Sequence, residues 1–367
     1  MAKKKEEIPA INKKYAVLDK VCAQIREKFG KESVNYLGNN KVEPIPRIPS
    51  GSRAVDNVIG GGYPLGRIIE VFGPASSGKT TLCYHAIAEA QKMFPDKWCG
   101  FVDSEYSYDA EYSANIGVKV DELVVAQPDS GTDAFGMVQA MAENGASLIV
   151  VDSVAAMLPR EEAEEEDYGK NSVGTQARMM SKGLRKLTSI VGKYQCVVIF
   201  TNQTRNKIGV IYGSPEVTAG GAALPYYASI RLKVNKTGVI EEGSADNKEK
   251  TGVNTRVEAV KNKTYPPFKK ADFVIMFGTG VDNEAGILEE LIEKDIIHKK
   301  GGWYAYEGTN IAQGMVNLKI WIASHQDEYL KMKERLLKET APEIEETVSL
   351  PSNEEENLNE EVEVEEI

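Results

Sequence analysis

The sequence predicts an α/β protein built on a mostly parallel central sheet, with a small helical arm before it and a small α+β unit after it. Three observations carry this reading. Apolar runs of strand length alternate with helix-length segments through the middle of the chain. One of these runs, RIIEVFG (67–73), passes through a glycine-rich loop straight into a helical pattern. The texture also changes at both ends, with a proline-rich connector before residue 51 and a helix-plus-hairpin pattern after residue 281.

Residues 13–29 place Val17, Val21, Ile25 and Phe29 on one helical face with charges on the other, a short amphipathic helix that needs something to pack on. Three prolines between residues 44 and 49 exclude a helix there, so residues 1–45 read as an arm and helix on an extended connector. The core, 46–282, offers strand candidates at 67–73, 99–105, 123–127, 147–154, 196–203 and 229–236, with helices at 79–93, 107–116, 132–143 and 175–192 between the first five. Strands at 255–263 and 271–277 follow at hairpin spacing and extend the sheet. Residues 283–338 read as a small α+β domain: a helix, a glycine-rich hairpin and a second helical stretch over 313–338. The last stretch, 339–367, has too few large apolar side chains and too much like charge to fold.

Composition bounds the function classes. The chain has 367 residues, long enough for a full core domain with smaller units at its ends. No run approaches the 18 apolar residues of a membrane span, and the N-terminus lacks the apolar run of a secretory signal, so a cytoplasmic protein is expected. Cys22, Cys83, Cys99 and Cys196 are scattered, which favours core thiols over a zinc site or a disulfide framework. The net charge of −11 is misleading about DNA: residues 339–367 hold 12 Glu and no basic residue, so the rest of the chain sums to +1. The tail is a polyanion able to compete for a DNA-binding surface on the body.

The loop Gly73-Pro74-Ala75-Ser76-Ser77-Gly78-Lys79-Thr80 matches G-x-x-x-x-G-K-[ST] in the strand-loop-helix setting that the motif requires. Its backbone N–H groups and the helix N-terminus suit the phosphates of ATP, with Lys79 neutralising them and Thr80 on Mg2+; Thr81 follows in the same turn. Asp152 ends the buried strand SLIVVDSV, where it either holds the magnesium water shell or merely caps the next segment. Glu105, beyond the strand CGFVD, is a candidate for activating water, with Asp103 a second candidate and a plain surface role the rival. Gln203 ends CVVIFTNQ, where its amide either touches the γ-phosphate or simply starts a loop. Two long loops, about 160–175 and 204–219, leave the same edge of the sheet. Arg205 and Lys207 beside Ile208 and Tyr212 offer phosphate and base contacts, and Arg178 and Arg185 offer further phosphate contacts.

The segments GSRAVDNVIGGGYPLGRIIEVFGPASSGKTTL, LIVVDSVAAMLPR, ARMMSKGLRKLTSI, IFTNQTRNKIGVIYGSPE, TAGGAAL, YYASIRL and VKNK, with the glutamate-rich tail, closely resemble the bacterial RecA recombinases from about residue 13 to 338. The resemblance implies a RecA-type P-loop ATPase core. By it, Lys79 and Thr80 match the P-loop pair, Glu105 the water-activating glutamate, Asp152 the magnesium-side aspartate, and Gln203 the link from γ-phosphate to the second DNA loop. It also implies that Asp109 and Tyr112 flank adenine, and that Lys261 and Lys263 reach the γ-phosphate from an adjacent protomer. Val173 and Ile208 stand where apolar side chains separate base triplets, and by the same resemblance Gly220 and Gly221 of TAGGAAL are DNA-binding. The N-terminal helix resembles the piece that docks on the neighbouring subunit.

The implied activity is ATP-dependent filament assembly on single-stranded DNA, homology search and strand exchange with homologous duplex. SOS-type repressor and recombination mediators are further implied partners. The chain departs from the family pattern at Ala75 (usually Glu), Pro225 (usually Lys), Tyr212, Ala222, Ser104 and Tyr106, and in the run EEAEEED, six carboxylates in seven residues at 161–167. A closed-ring helicase and a non-motor regulatory protein are the two rival readings of the same nucleotide core.

Overall fold

The computed structural model describes residues 10–30, 33–34, 44–165, 174–206, 216–244 and 247–340. In chain order, helix α1 (Ala10–Phe29) is followed by β1 (Arg47–Ile48), α2 (Arg53–Ile59), β2 (Tyr63–Pro64), β3 (Ile68–Gly73), α3 (Lys79–Met93), β4 (Cys99–Asp103) and α4 (Ala110–Ile116). Then come β5 (Leu123–Ala126), α5 (Gly131–Glu143), β6 (Leu148–Asp152), α6 (Arg160–Ala163), α7 (Thr175–Tyr194), β7 (Val197–Asn206), β8 (Glu216–Thr218) and α8 (Ala223–Tyr227). A long hairpin of β9 (Ile230–Ser244) and β10 (Asn247–Asn262) leads to β11 (Lys270–Met276), β12 (Gly280–Val281) and α9 (Asn283–Glu293). The chain continues through β13 (His298–Lys300), β14 (Trp303–Tyr306), β15 (Thr309–Gln313), α10 (Met315–Ser324) and α11 (Gln326–Thr340).

Among the described residues the main sheet runs β12-β11-β10-β9-β3-β7-β6-β4-β5, with β8 added to β7. The strands from β9 to β5 in that order are parallel, and β10, β11 and β12 attach by antiparallel pairing. The parallel strands are unbroken apolar runs because both faces are covered. Along β6, Leu148 and Val150 face a layer containing α2, α3 and α4, while Ile149 and Val151 face one containing α5, α7 and α8. Strand β5 differs from expectation: it is the sheet edge, and Val124 and Val125 are exposed.

Helix boundaries follow the capping chemistry. Ser52 and Ser130 accept from the backbone N–H groups of Val55 and Asp133, and α2 ends at Gly60 with φ 86°. The C-terminal sheet β13-β14-β15 packs with α9, α10 and α11 around its own apolar cluster of Leu288, Leu291, Tyr304, Leu318 and Met332. The stretch expected as one helix over 313–338 is two, since the break at His325 starts a new helix at Gln326. The Arg53 guanidinium pairs with Glu290 at 2.7 Å and the Asn283 amide reaches the Gly51 carbonyl at 2.7 Å, tying α9 to α2. On α1, Val17, Val21 and Phe29 are exposed, so the apolar face read from the sequence has little cover among the described residues of its own chain.

Candidate functional site

The loop Pro74–Gly78 joins the carboxyl end of β3 to the start of α3. Gly78 caps α3 with φ 95° and no side-chain bond, so the first-turn N–H groups face the loop. Close approach demands the two framing glycines: a Cβ at Gly73 would stand 2.0 Å from the Val234 carbonyl oxygen, and one at Gly78 would stand 2.2 Å from Ile275 Cδ1. Pro74, Ala75 and Ser76 are exposed, whereas Ser77 is buried and its hydroxyl has no protein partner.

Lys79 is only 8% exposed and its Nζ donates to the Pro74 carbonyl at 2.6 Å. Burial lowers its pKa, and the nearby Asp152 and Glu105 work against that shift. An ammonium carries three donors, so a phosphate oxygen beside this one would gain a charge-assisted bond.

The neighbouring strand ends converge on Lys79. Asp152 is nearly buried, and it accepts from Thr80 Oγ1 at 2.7 Å through Oδ2 and from Thr201 Oγ1 at 2.5 Å through Oδ1. Burial raises its pKa, opposed by those two hydroxyl bonds. Glu105 follows β4, and its Oε1 accepts from the Ser153 hydroxyl and from Gln203 Nε2, the latter at 3.3 Å. Glu105 just after β4, Asp152 and Ser153 at the end of β6, and Gln203 on β7 thus meet opposite the loop; β7 runs on past the strand end expected at Gln203 because Thr204–Asn206 pair with β8. Asp103 has a different job: its buried carboxylate accepts the Ser107 and Tyr108 N–H groups at 3.1 Å each and holds the turn that carries Glu105.

These groups fit a nucleotide with a divalent ion. Among the described residues no cluster of three or more His, Cys, Asp or Glu converges. Thr80 Oγ1 and the Asp152 carboxylate could supply two oxygen groups to an Mg2+ ion whose other ligands are phosphate oxygens and water.

A cavity of about 470 Å3 opens beside the loop, lined by Ser76, Thr81, Asp109, Tyr112, Ile275 and Phe277. Thr81 Oγ1 and the Tyr112 hydroxyl are 3.0 Å apart, and Asp109 caps α4 by accepting the Tyr112 N–H at 2.9 Å. Ile275 and Phe277 escaped the sequence reading because they belong to a sheet-extending strand far along the chain. Ser153 and Thr201 escaped it because nothing in their spacing marks a second contact to an acid.

Lys261 and Lys263 are not brought to this loop. Lys261 pairs in register with Arg231, which lies opposite Glu70 midway along β3, and the Lys263 N–H donates to Ser229 beside the start of that strand, whereas the loop leaves from its end. Glu70, level with Lys261, is about 13 Å along the strand from the start of the loop at Pro74. Lys261 Nζ donates to the carbonyls of Pro225 and Tyr226 at 2.7 and 2.8 Å. Burial, then Lys263 and Arg231, pulls its pKa down to about 8.

On the face expected to meet DNA, Arg178 and Arg185 are exposed on α7 and share a depression of about 410 Å3 with Ser181, Lys182 and Lys186. Lys182 lies one helical turn on from Arg178 and Lys186 one turn on from Lys182, beside Arg185; neither was singled out from sequence. Arg205 is exposed on β7. Gly220 and Gly221 have φ 82° and 76° and pack so closely that added Cβ atoms would lie 2.9 Å from Val154 Cγ1 and from Ala177 Cβ. Val173, Lys207, Ile208 and Tyr212 lie outside the described residues.

Comparison with known proteins agrees with this geometry. The RecA N-terminal domain model matches residues 16–282 and the RecA C-terminal domain model matches 285–341. The chain is 44% identical over 323 residues to Protein RecA of Citrifermentans bemidjiense, covering 87% of this chain and 94% of the relative. It is 45% identical over 348 residues to Protein RecA of Treponema denticola, covering 93% and 83%. A solved structure of the RadB recombinase is similar at 22% identity and a TM-score of 0.48, covering 64% of this chain and 98% of its own. The two domain models and the Protein RecA relatives show that the chain belongs to the RecA family.

Proposed function

We propose that this chain is an ATP-dependent recombinase that assembles as a helical filament on single-stranded DNA and catalyses pairing and strand exchange with homologous duplex. The observation that carries the reading is the meeting of Lys79, Thr80, Asp152, Glu105 and Gln203 at one end of the parallel sheet, in a chain of the RecA family.

In this reading the loop N–H groups and Lys79 hold the β- and γ-phosphates, while Thr81, Asp109 and Tyr112 border the base. Mg2+, when bound, neutralises phosphate charge beside Thr80 and Asp152. Glu105 accepts the proton of the attacking water through its carboxylate, steadied by the Ser153 hydroxyl. Gln203 touches Glu105 and lies on β7 three residues before its end at Asn206, so γ-phosphate loss would be passed along that strand to the DNA-facing segment. Lys261 and Lys263, set apart from the loop, act on the nucleotide of an adjacent copy, and the apolar face of α1 docks on that copy. DNA phosphates meet Arg178, Arg185 and Arg205, with Val173, Lys207, Ile208, Tyr212, Gly220 and Gly221 completing the contact.

A cytoplasmic location belongs to the same proposal; among the described residues no helix is long and apolar enough to cross a membrane. Contacts with an SOS-type repressor and with recombination mediators are its outermost part, tested by adding repressor to preformed filaments. The primary test is the ATPase rate with and without single-stranded DNA, followed by negative-stain imaging of the same sample. Stimulated hydrolysis with helical filaments is expected. Closed rings, or a rate indifferent to DNA, would overturn the proposal in favour of a helicase or a regulatory ATPase.

A further inference from the structure

Both oxygens of Asp152 are engaged by hydroxyls, Oδ2 by Thr80 at 2.7 Å and Oδ1 by Thr201 at 2.5 Å. Thr80 belongs to the P-loop motif. Thr201 belongs to β7, is fully buried, and lines neither the cavity beside the loop nor the depression on α7. We infer that Thr201 is a positioning residue for the divalent ion, its hydroxyl fixing the plane of the Asp152 carboxylate so that Oδ2 stays turned toward Thr80. The inference rests on the reading of the loop as an ATP–Mg2+ site.

The terminal torsion of an aspartate is broad and roughly two-fold, so a single hydrogen bond to one oxygen leaves the carboxylate plane free to turn. A second donor on the other oxygen removes that freedom. The sheet puts the donor in place: Val151 lies opposite Phe200 on β7, so Asp152 and Thr201 are the next residues along adjacent parallel strands. Strand alternation puts both on the side of Val150 and Ile199, which belong to the layer under α3. A β-branched residue suits the task, because its stiff χ1 holds the hydroxyl in one direction.

A purely structural role for this bond makes a different forecast. Were Thr201 only satisfying a buried carboxylate, its loss would lower thermal stability and leave ion affinity alone. As a partner that orients an ion-facing group, its loss should weaken the ion itself, by the 10- to 100-fold typical of groups one step behind a metal ligand.

Thr201→Val keeps the volume and the β-branch and removes the donor; Thr201→Ser restores the donor without the methyl. Mg2+ is titrated into each full-length protein with a fixed amount of fluorescent ATP analogue, and binding is read by anisotropy. Thr201→Val is expected to raise the half-saturating Mg2+ concentration about tenfold. Binding measured without Mg2+, which the loop and Lys79 carry, should be unchanged, and Thr201→Ser should return the midpoint to within about threefold of the parent. The same order should appear with Mn2+, read by its electron paramagnetic resonance signal without any turnover.

An unchanged midpoint in folded Thr201→Val, whatever its melting temperature, overturns the inference. If the valine variant does not fold, Thr201→Ser is compared with Thr201→Ala, and equal midpoints for these two overturn it as well. A parent protein whose nucleotide binding ignores Mg2+ would instead overturn the site reading, and this inference with it.

Discussion

Replacing Glu105 with glutamine isolates one chemical property, because the geometry lets everything else survive. The Ser153 hydroxyl and Gln203 Nε2 both donate to the same oxygen, Oε1. A glutamine carbonyl can occupy that place, with the new amide where Oε2 was, so neither contact must break. Glu105 is exposed, so no core packing changes, and stability should stay within about 0.5 kcal/mol. The loss is the ability to accept a proton from water. General-base contributions run from about 100- to 10,000-fold, which corresponds to about 3 to 5 kcal/mol of barrier. The assay pairs steady-state phosphate release at saturating single-stranded DNA with binding of a non-hydrolysable analogue. Turnover should fall by that factor, analogue affinity should hold to within about threefold, and filaments formed with ATP should persist rather than disassemble. Turnover within about threefold of the parent would refute the assignment of Glu105 as the base.

Other outcomes follow from the same geometry. Lys79→Ala should reduce nucleotide affinity by about 100-fold, the worth of a charge-assisted bond at a buried position, read by analogue titration. Asp56 is pushed up to about 6 and His85 down to about 4, both by burial first. Between those values the native state holds a proton on Asp56 that the unfolded chain has released, while the unfolded chain holds one on His85 that the native state lacks. The two slopes cancel. Asp56→Asn keeps an acceptor for the Ser50 N–H and exposes the His85 slope, so stability should drop by about 1.4 kcal/mol per unit as pH falls from 6 to 4; denaturant midpoints across pH check this. Lys261 is held near 8 in the free chain, and under the proposed function its charged form is the one that would meet phosphate. Assembly with ATP should therefore take up protons and weaken as pH rises above 8, a dependence that Lys261→Arg removes, seen by light scattering. Deleting residues 339–367 removes 12 Glu and should tighten duplex binding most at low salt, which a salt series of binding curves measures.

The layered sheet was legible because parallel strands buried on both faces must be apolar at every position, as Leu148–Val151 and Val197–Phe200 are. The P-loop was legible because its chemistry is local: eight consecutive residues supply the amides, the ammonium and the hydroxyl. Asp152 and Glu105 were legible as acids at strand ends. What stayed hidden is what depends on strand order. Nothing local says that β7 lies beside β6, so Thr201 read as one more strand residue. Likewise Ile275 and Phe277 border the cavity beside the loop only because β11 lies close enough for Ile275 to reach the loop's Gly78. The break at His325 was missed because apolar spacing continues smoothly from α10 into α11. The long hairpin of β9 and β10 was read short because its outer half is polar and pays no attention to either core.

The separation of the loop from Lys261 and Lys263 along one sheet carries an arithmetic consequence. If each lysine pair serves the next molecule's nucleotide, every chain owns two half-stations and a row of n chains closes only n−1 of them. Output per chain then climbs with row length as (n−1)/n, so a pair of chains works at half the rate of a long row and a solitary chain is idle. Short oligonucleotides of graded length would trace that curve, and the unclosed station at one terminus gives the row a chemically distinct head and tail.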